Sequence, residues 1–186
     1  MKLKDLIAYW KSDYRRYKNY GASPISILLF TPGFKYTFYM RLCNYLRKSK
    51  LRTVYIPFFV VFRFILKHYE YKYSIQIPYN TQIGHGLHIA HHGGIVINHR
   101  CVLGNNINMS HGVTLGYTKT GVPNIGDTVY LGAGAKVIGG IDIGNNVAIG
   151  ANSVVTKDIP DNAIVVGIPG KIISYKGNRP VNKATS

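Results

Sequence analysis

Aliphatic side chains recur at every sixth position in the chain from Ile77 onward. The spacing is broken only by a slip of two residues after Ile89 and by a longer gap after Leu115. Helices and single strands have shorter periods, so a period of six predicts short strands that tight turns wind into a β-solenoid. Thirteen positions, each aliphatic or Met, carry the repeat: Ile77, Ile83, Ile89, Ile97, Leu103, Met109, Leu115, Ile125, Leu131, Val137, Ile143, Ile149 and Val155.

The first 72 residues have a helical pattern instead. Apolar and aromatic side chains follow one another at intervals of three or four residues, which places them on one face of a helix that ends near Gly21 and Pro24. These side chains are Leu3, Ile7, Trp10, Tyr14 and Tyr17. Two more helical patterns run over about 34–48 and 53–69. The most apolar stretch, VYIPFFVVFRFIL, is 13 residues long, whereas a membrane span needs about 20.

Positive charge and aromatic residues are concentrated in the same N-terminal part. Residues 1–72 hold 15 of the 23 Lys and Arg but 3 of the 7 acids, so they carry +12 of the net charge of +16. Two hypotheses stay open for this helical subdomain. It packs on the rest of the chain, or it also rests on an anionic membrane surface, where Lys and Arg interleaved with aromatic rings suit the headgroup layer. Nucleic-acid binding is not predicted, because no recognition motif accompanies the charge.

The two cysteines and the first residues of the chain indicate in which cell compartment the protein is located. Cys43 and Cys101 do not make a disulfide framework. The opening MKLKDLIAYWKSDYRR has charges where a secretory signal peptide needs an apolar run. We expect a protein of the reducing cytoplasm, located at the inner membrane face if the second hypothesis holds.

The repeat resembles that of the hexapeptide acyltransferases. This resemblance implies a left-handed parallel β-helix with three faces per coil, and a homotrimer that binds acetyl-CoA in the groove between neighbouring subunits. The segment GAGAKVIGGIDIGNNVAIGANSVVTKDIPDNAIVVGIPGKII, with GIVIN and GVTLG before it, is similar to serine O-acetyltransferases and to their relatives that acetylate bacterial capsule and exopolysaccharide sugars. It covers about residues 73–175, which predicts a helical subdomain (1–72), a β-helix domain (73–175) and a tail (176–186). The fold class is mainly β.

The repeat arithmetic brings four distant residues into one column. Three faces of six residues make a coil of 18, and the two breaks in the spacing lengthen the coils around them. His91 then lies below His111, and Ala133 and Ala151 lie above them, on rungs about 4.8 Å apart. Two bases followed by two small side chains predict a shallow channel in which an extended pantetheine arm fits with its thioester near the histidines.

The family resemblance supplies the remaining acetyl-CoA contacts. Lys157 and Lys171 stand in VVTKDIP and GIPGKII, motifs whose relatives contact CoA phosphates, although each lysine is also compatible with a solvated surface position. The expected cofactor-binding residues are Gly116, Ala133, Ala151, Thr156, Lys157 and Lys171. An inserted loop, GYTKTGVPN, follows the histidine pair and is expected to cover the acceptor or to be a tolerated loop.

Acetyl transfer to a hydroxyl requires a base, and imidazole suits that task. His91 aligns with the catalytic histidine of the serine O-acetyltransferases when GIVI is matched, so we predict that it is the general base. His92 is the alternative, and His111 is predicted to adjoin the substrate or thioester. The other histidines, His85, His88 and His99, are predicted to be surface residues. A metal site is the rival interpretation, but strong sites usually include Cys or an acid, and no metal is expected.

The sequence departs from the serine enzymes at three places. They have an aspartate before the catalytic histidine, where this chain has Ala90, and another on the preceding coil, where it has Gln76. Their Asp-Arg-His run is missing from the inserted loop. Gln76 is therefore predicted to orient His91, with a backbone carbonyl, Glu70 or an acid from a neighbouring subunit as alternatives.

These departures argue against a free amino acid as the acceptor. Its ammonium and carboxylate groups would lose their water without gaining charged partners, which costs binding free energy. We predict an O-acetyltransferase acting on a sugar hydroxyl of a capsule or exopolysaccharide, or of its lipid-linked precursor. Serine O-acetylation is the alternative activity. A non-catalytic trimeric β-helix scaffold is the alternative of another class.

Overall fold

The computed structural model describes residues 2–178, in which helices are followed by a β-solenoid. The helices are α1 (Leu3–Asn19), α2 (Pro24–Phe30), α3 (Pro32–Lys48) and α4 (Ile56–Tyr73). The strands are β1 (Ile75–Gln76), β2 (Gln82–Ile83), β3 (His88–Ile89), β4 (Ile95–Ile97), β5 (Val102–Leu103), β6 (Asn108–Met109), β7 (Thr114–Gly116), β8 (Asn124–Ile125), β9 (Tyr130–Leu131), β10 (Lys136–Ile138), β11 (Asp142–Ile143), β12 (Ala148–Ile149), β13 (Val154–Val155), β14 (Ile164–Val166) and β15 (Lys171–Ser174). Residues 179–186 of the predicted tail lie outside the described residues.

The strands form three sheets, one for each face of the coil. The first sheet has the order β1-β4-β7-β10-β13, the second β11-β8-β5-β2, and the third β15-β14-β12-β9-β6-β3. Neighbouring strands are parallel, except that β15 returns antiparallel to β14. The expected left-handed parallel β-helix with a helical N-terminal region is confirmed.

The six-residue repeat marks the interior of the solenoid. All thirteen repeat positions are buried, none with more than 5% of its surface exposed. The breaks in the repeat become wider coils, because Ile89 pairs with Met109 and Met109 pairs with Leu131. The register therefore agrees with the spacing read from the sequence.

One corner of the solenoid is held by a ladder of side-chain oxygens. The Asn105 Oδ1 atom accepts from the backbone N–H of His85, and Asp127 Oδ1 accepts from the N–H of Asn105. Asn145 Oδ1 accepts in the same way from the N–H of Asp127. Asn146, which follows, has φ of 56°, a left-handed conformation that asparagine tolerates. Each turn thus satisfies backbone donors of the turn below it.

A buried ion pair joins the helices to the solenoid. Arg41 of α3 lies 3.2 Å from Asp13 of α1, and it also donates to the backbone carbonyls of Ile83 and Gly84. Asp13 in turn accepts from the Leu87 N–H. Because helix residues here satisfy solenoid backbone groups, the two parts share one polar network as well as a core.

The helical part contains an element that the sequence analysis missed. Pro24 was interpreted as the end of a helix, but it is the first residue of α2, and Ser23 caps that helix by accepting from the Ser26 N–H. Proline is favoured at this position because its missing N–H has no helical partner to lose. Among the described residues, no helix combines the length and the apolarity that crossing a membrane requires.

Candidate active site

The predicted histidine pair meets at the corner between the third and first sheets. His91 and His111 are both exposed, and their ring centroids are 6.1 Å apart with an interplanar angle of 74°. His92 points elsewhere, with its ring against Tyr73 at 5.5 Å. Adjacent side chains therefore diverge at this corner, and His91 is the one that faces His111.

The column above the histidines is made of small residues. Ala133 is half-buried and Ala151 is exposed, and backbone hydrogen bonds run from Gly134 N–H to the His111 carbonyl and from Asn152 N–H to the Ala133 carbonyl. Gly134 has φ of 72°, and a Cβ there would overlap Asn152 Oδ1. The corner above the histidines is therefore lined by small side chains and by closely stacked backbone.

The cofactor residues predicted from the resemblance lie higher on the solenoid. Thr156 and Lys157 are exposed just after β13, and Lys171 is exposed at the start of β15. A hydrogen bond from the Gly170 N–H to the Val154 carbonyl brings these two segments together. Gly116 is half-buried in β7, well below them in the stack. The two lysines therefore lie toward the same end of the solenoid, several strands above the histidines.

Gln76, the predicted partner of His91, forms no hydrogen bond to that histidine in the described part of the chain. It is exposed on β1, where it pairs with Val96 of β4. Glu70, an alternative partner, lies 3.0 Å from Lys67 and 4.0 Å from Arg63. Among residues 2–178, neither Gln76 nor Glu70 forms a hydrogen bond to the His91 imidazole.

Lys136 is a site residue that the sequence analysis missed. Its Nζ donates to the Gly112 carbonyl and, at 3.0 Å, to Thr114 Oγ1. Gly112 directly follows His111, so the lysine fixes the backbone that carries that histidine. The only sequence signal was a cation inside the repeat, in GAGAK, and a surface lysine gives the same signal.

A cavity of about 360 Å³ opens on the other side of His91. We call it the acceptor cavity, because we propose that the acceptor binds there. It lies between the end of α1 and the outer surface of the third sheet, and it contains aromatic rings and amide or hydroxyl groups. Its lining residues are Tyr17, Tyr20, Ala22, Thr31, His88, Ala90, His91, Asn108, Met109, Ser110, Tyr130 and Asn178.

His88 belongs to the wall of this cavity, so its prediction as a surface residue is wrong. It is 6% exposed, its ring stacks on that of Tyr20 at 4.4 Å, and it contacts Tyr17 at 4.5 Å. Burial, together with the nearby Arg16 guanidinium, lowers the pKa of His88 to about 4. The helical subdomain covers this histidine, which no pattern within the repeat reveals.

The described residues contain no group of three or more His, Cys, Asp or Glu side chains placed to hold a metal ion. The histidines of the motif spread over different surfaces, since His85 stacks on Tyr9 at 4.2 Å and His99 is exposed away from the pair. The clustering in sequence therefore does not become a cluster in space.

The coils of six-residue repeats are the feature that the comparisons recognise. The model of the bacterial transferase hexapeptide family (six repeats) matches residues 123–157, and the chain belongs to the hexapeptide-repeat acyltransferases. The chain is 45% identical to the serine acetyltransferase of Staphylococcus xylosus over 125 residues, 65% of this chain and 58% of that protein. It is 47% identical to that of Staphylococcus aureus strain N315 over 110 residues, 57% of this chain and 52% of that protein. It thus spans little more than half the length of these relatives.

Solved structures extend the similarity to the helices. Neisseria gonorrhoeae serine acetyltransferase superposes with a TM-score of 0.78 at 31% identity, over 95% of this chain and 68% of that one. A serine acetyltransferase in complex with CoA also has a TM-score of 0.78, at 28% identity over 92% of this chain and 71% of that one. The helical N-terminal part is therefore shared with these proteins.

The comparisons overturn the predicted sugar acceptor. The relatives and the structural neighbours are serine acetyltransferases, which supports the alternative activity. The prediction of a capsule, exopolysaccharide or lipid-linked saccharide acceptor was wrong. It gave decisive weight to missing carboxylates at Ala90 and Gln76, although other groups can recognise an amino acid.

Proposed function

We propose that this chain is an acetyl-CoA-dependent serine O-acetyltransferase. The observation that carries the proposal is the His91–His111 pair at the corner of a β-helix that superposes on serine acetyltransferases over more than nine tenths of its length. A cytoplasmic location, expected from the cysteine usage, belongs to the proposal.

In the proposed reaction His91 removes the proton from the serine hydroxyl. The hydroxyl oxygen forms a bond to the thioester carbonyl carbon, and the carbon–sulfur bond then breaks. The thiolate of CoA takes the proton back from His91, so the products are O-acetylserine and CoA. We assign His111, whose ring centroid lies 6.1 Å from that of His91, to the thioester side of the site, and Lys136 holds the backbone beside it. Imidazole can serve as base and acid in turn without a metal.

We assign the column of Ala133 and Ala151 to the pantetheine arm and the Lys157 and Lys171 end to the CoA phosphates, with Gly116 and Thr156 along the same edge. The assignment rests on small side chains beside the histidines and on two cations at one end of the solenoid. We propose a homotrimer in which the neighbouring subunit completes this groove.

The test is an acetyl-transfer assay with acetyl-CoA and L-serine, in which O-acetylserine is identified by mass spectrometry. We expect stoichiometric release of CoA and O-acetylserine. Absence of O-acetylserine at saturating acetyl-CoA would contradict the proposal. The mass in solution, measured by light scattering, tests the trimer separately.

We also propose that the helical subdomain rests on an anionic lipid surface through the outer face of α4. Phe58, Val61 and Phe64 are exposed at intervals of three residues, Phe64 by 72%. The exposed Arg52 lies just before this helix, and no Asp or Glu occurs in residues 14–69. Apolar side chains beside unopposed cations match the chemistry of an anionic headgroup layer.

This surface is tested by flotation with phosphatidylglycerol vesicles and with phosphatidylcholine vesicles. We expect binding to the anionic vesicles alone, lost in Phe64→Glu and kept in the control Tyr175→Glu, which changes an exposed ring elsewhere. Binding that is unaffected by Phe64→Glu would contradict the proposal. A change in oligomer mass in that variant, without vesicle binding by the wild type, would instead assign the face to a second copy.

A further inference from the structure

The acceptor cavity contains hydrogen-bond donors but no acidic side chain among its lining residues. This composition is unusual for a site that receives an amino acid, because an ammonium group is ordinarily held by carboxylates. The charges around the cavity therefore decide which part of the acceptor it recognises, and the inference below rests on the proposed function.

Asn108 is held in one orientation by a residue of the helical subdomain. Arg16 Nη2 donates to Asn108 Oδ1 at 2.8 Å, across 92 residues of sequence. A guanidinium only donates hydrogen bonds, so the amide oxygen must face Arg16 and the Nδ2 group remains as a donor. Asn108 lines the cavity and is 9% exposed. The cavity wall thus presents an amide donor whose dipole is aligned by a cation behind it.

The charge of Arg16 is not neutralised nearby. Within the described residues Arg16 forms no ion pair, because Asp13, one helical turn earlier, is buried against Arg41. The Arg16 Nε atom is buried without a hydrogen-bond partner. His88, which pairs with Asn108 across β3 and β6, also has a buried and unpartnered Nδ1 in the same wall. Unpaired buried groups of this kind are costly unless a ligand satisfies them.

We propose that Asn108, positioned and polarised by Arg16, binds the carboxylate of the acceptor, and that the cavity does not recognise the acceptor's ammonium group. The substrate class is then short hydroxy acids in which a hydroxyl and a carboxylate are separated by two carbons, with or without an amine. The aromatic rings of Tyr20 and Tyr130 contact the middle of such a molecule while its hydroxyl faces His91. Arg16 is a positioning residue, since it acts through Asn108.

Three acceptors distinguish recognition of the carboxylate from recognition of the ammonium group. L-Serine has both groups, 3-hydroxypropanoate lacks the amine, and ethanolamine lacks the carboxylate. We expect kcat/KM for 3-hydroxypropanoate within about fivefold of serine and kcat/KM for ethanolamine about 100-fold lower, because a site built to hydrogen-bond one group rejects an analogue without it. Equal use of ethanolamine and serine, or rejection of 3-hydroxypropanoate, would overturn the inference.

Substitutions test whether Arg16 and Asn108 cause this preference for a carboxylate. Arg16→Met keeps an unbranched apolar stem but removes the guanidinium. It is expected to raise the KM for serine and for 3-hydroxypropanoate about tenfold, with kcat and the KM for acetyl-CoA unchanged. Arg16→Lys should restore part of the loss. Asn108→Leu should act in the same way, whereas Asn124→Leu, on the second sheet, is the matched control. If Arg16→Met lowers kcat/KM for ethanolamine as much as for serine, Arg16 has a structural role only and the inference fails.

Binding measurements keep this inference separate from the proposed activity. Calorimetric titration of the CoA-loaded protein with 3-hydroxypropanoate and with ethanolamine tests the carboxylate site even if no acetyl group is transferred. Binding of the hydroxy acid that Arg16→Met weakens supports the inference, and absence of that binding refutes it. Failure of acetyl transfer to L-serine alone refutes the proposed function.

Discussion

The imidazole ring of His91 lies below that of His111, 6.1 Å away and at 74° to it, on successive coils of the solenoid. The two residues are 20 positions apart in the sequence, because the coil that joins them is two residues longer than the repeat alone would give. A slip of two residues therefore aligns the pair that we assign to acetyl transfer.

Loss of the proposed base should remove turnover without affecting folding. We expect His91→Ala to lower kcat by about 100- to 10,000-fold, the usual contribution of a general base. The KM for acetyl-CoA and the melting temperature should stay unchanged, since the side chain is exposed. His99→Ala, which changes an exposed histidine away from the pair, is the control. A kcat within threefold of the wild type in His91→Ala would exclude this residue as the base.

A larger side chain in the small-residue column should obstruct the cofactor. Ala151 is exposed at the top of the column, so Ala151→Leu is expected to fold normally and to raise the KM for acetyl-CoA by about tenfold through steric overlap with the pantetheine arm. The KM for the acceptor should not change. Ala151→Ser, which adds one atom, serves as the comparison. Unchanged acetyl-CoA kinetics in Ala151→Leu would place the pantetheine elsewhere.

Acid should destabilise the protein through His88. Its pKa is about 4 in the folded chain and 6.5 when unfolded, so the unfolded state binds the proton first. The free energy of unfolding is then highest above pH 6.5. It falls by up to about 3 kcal/mol as the pH drops toward 4. Urea unfolding between pH 7 and pH 4 measures this slope. His88→Gln should flatten it, and an identical slope in that variant would assign the acid sensitivity to other groups.

Removal of one partner of the buried ion pair should weaken the attachment of the helices. In Asp13→Ala the Arg41 guanidinium stays buried without its carboxylate, which is expected to cost about 3–5 kcal/mol of unfolding free energy. Lys11→Ala, at an exposed position of the same helix, is the control and should change stability by less than about 1 kcal/mol. The double variant Asp13→Leu, Arg41→Met should recover part of the loss, since no charge remains buried. A loss no larger than that of the control would refute the role of the pair.

Several features of the site were accessible from the sequence because they depend on short-range repetition. The period of six determines which side chains enter the interior, and counting along it places His91 beneath His111 and Ala133 beneath Ala151. The resemblance to serine O-acetyltransferases then predicts that the corner with His91 and His111 binds acetyl-CoA. The same counting does not show what orients His91, since Gln76 is exposed on β1 and forms no hydrogen bond to His91 within residues 2–178.

The remaining features depend on contacts between segments that have no common period. The Arg16–Asn108 hydrogen bond spans 92 residues, and the burial of His88 depends on Tyr20 of a different subdomain. The solenoid, its register and the histidine column can be predicted from the repeat, because each coil of a repeat predicts its neighbour. The face that the helices cover and the charge beside the acceptor cavity can be known from the folded chain alone. Packing between non-repeating elements depends on side-chain shape and charge across long sequence separations.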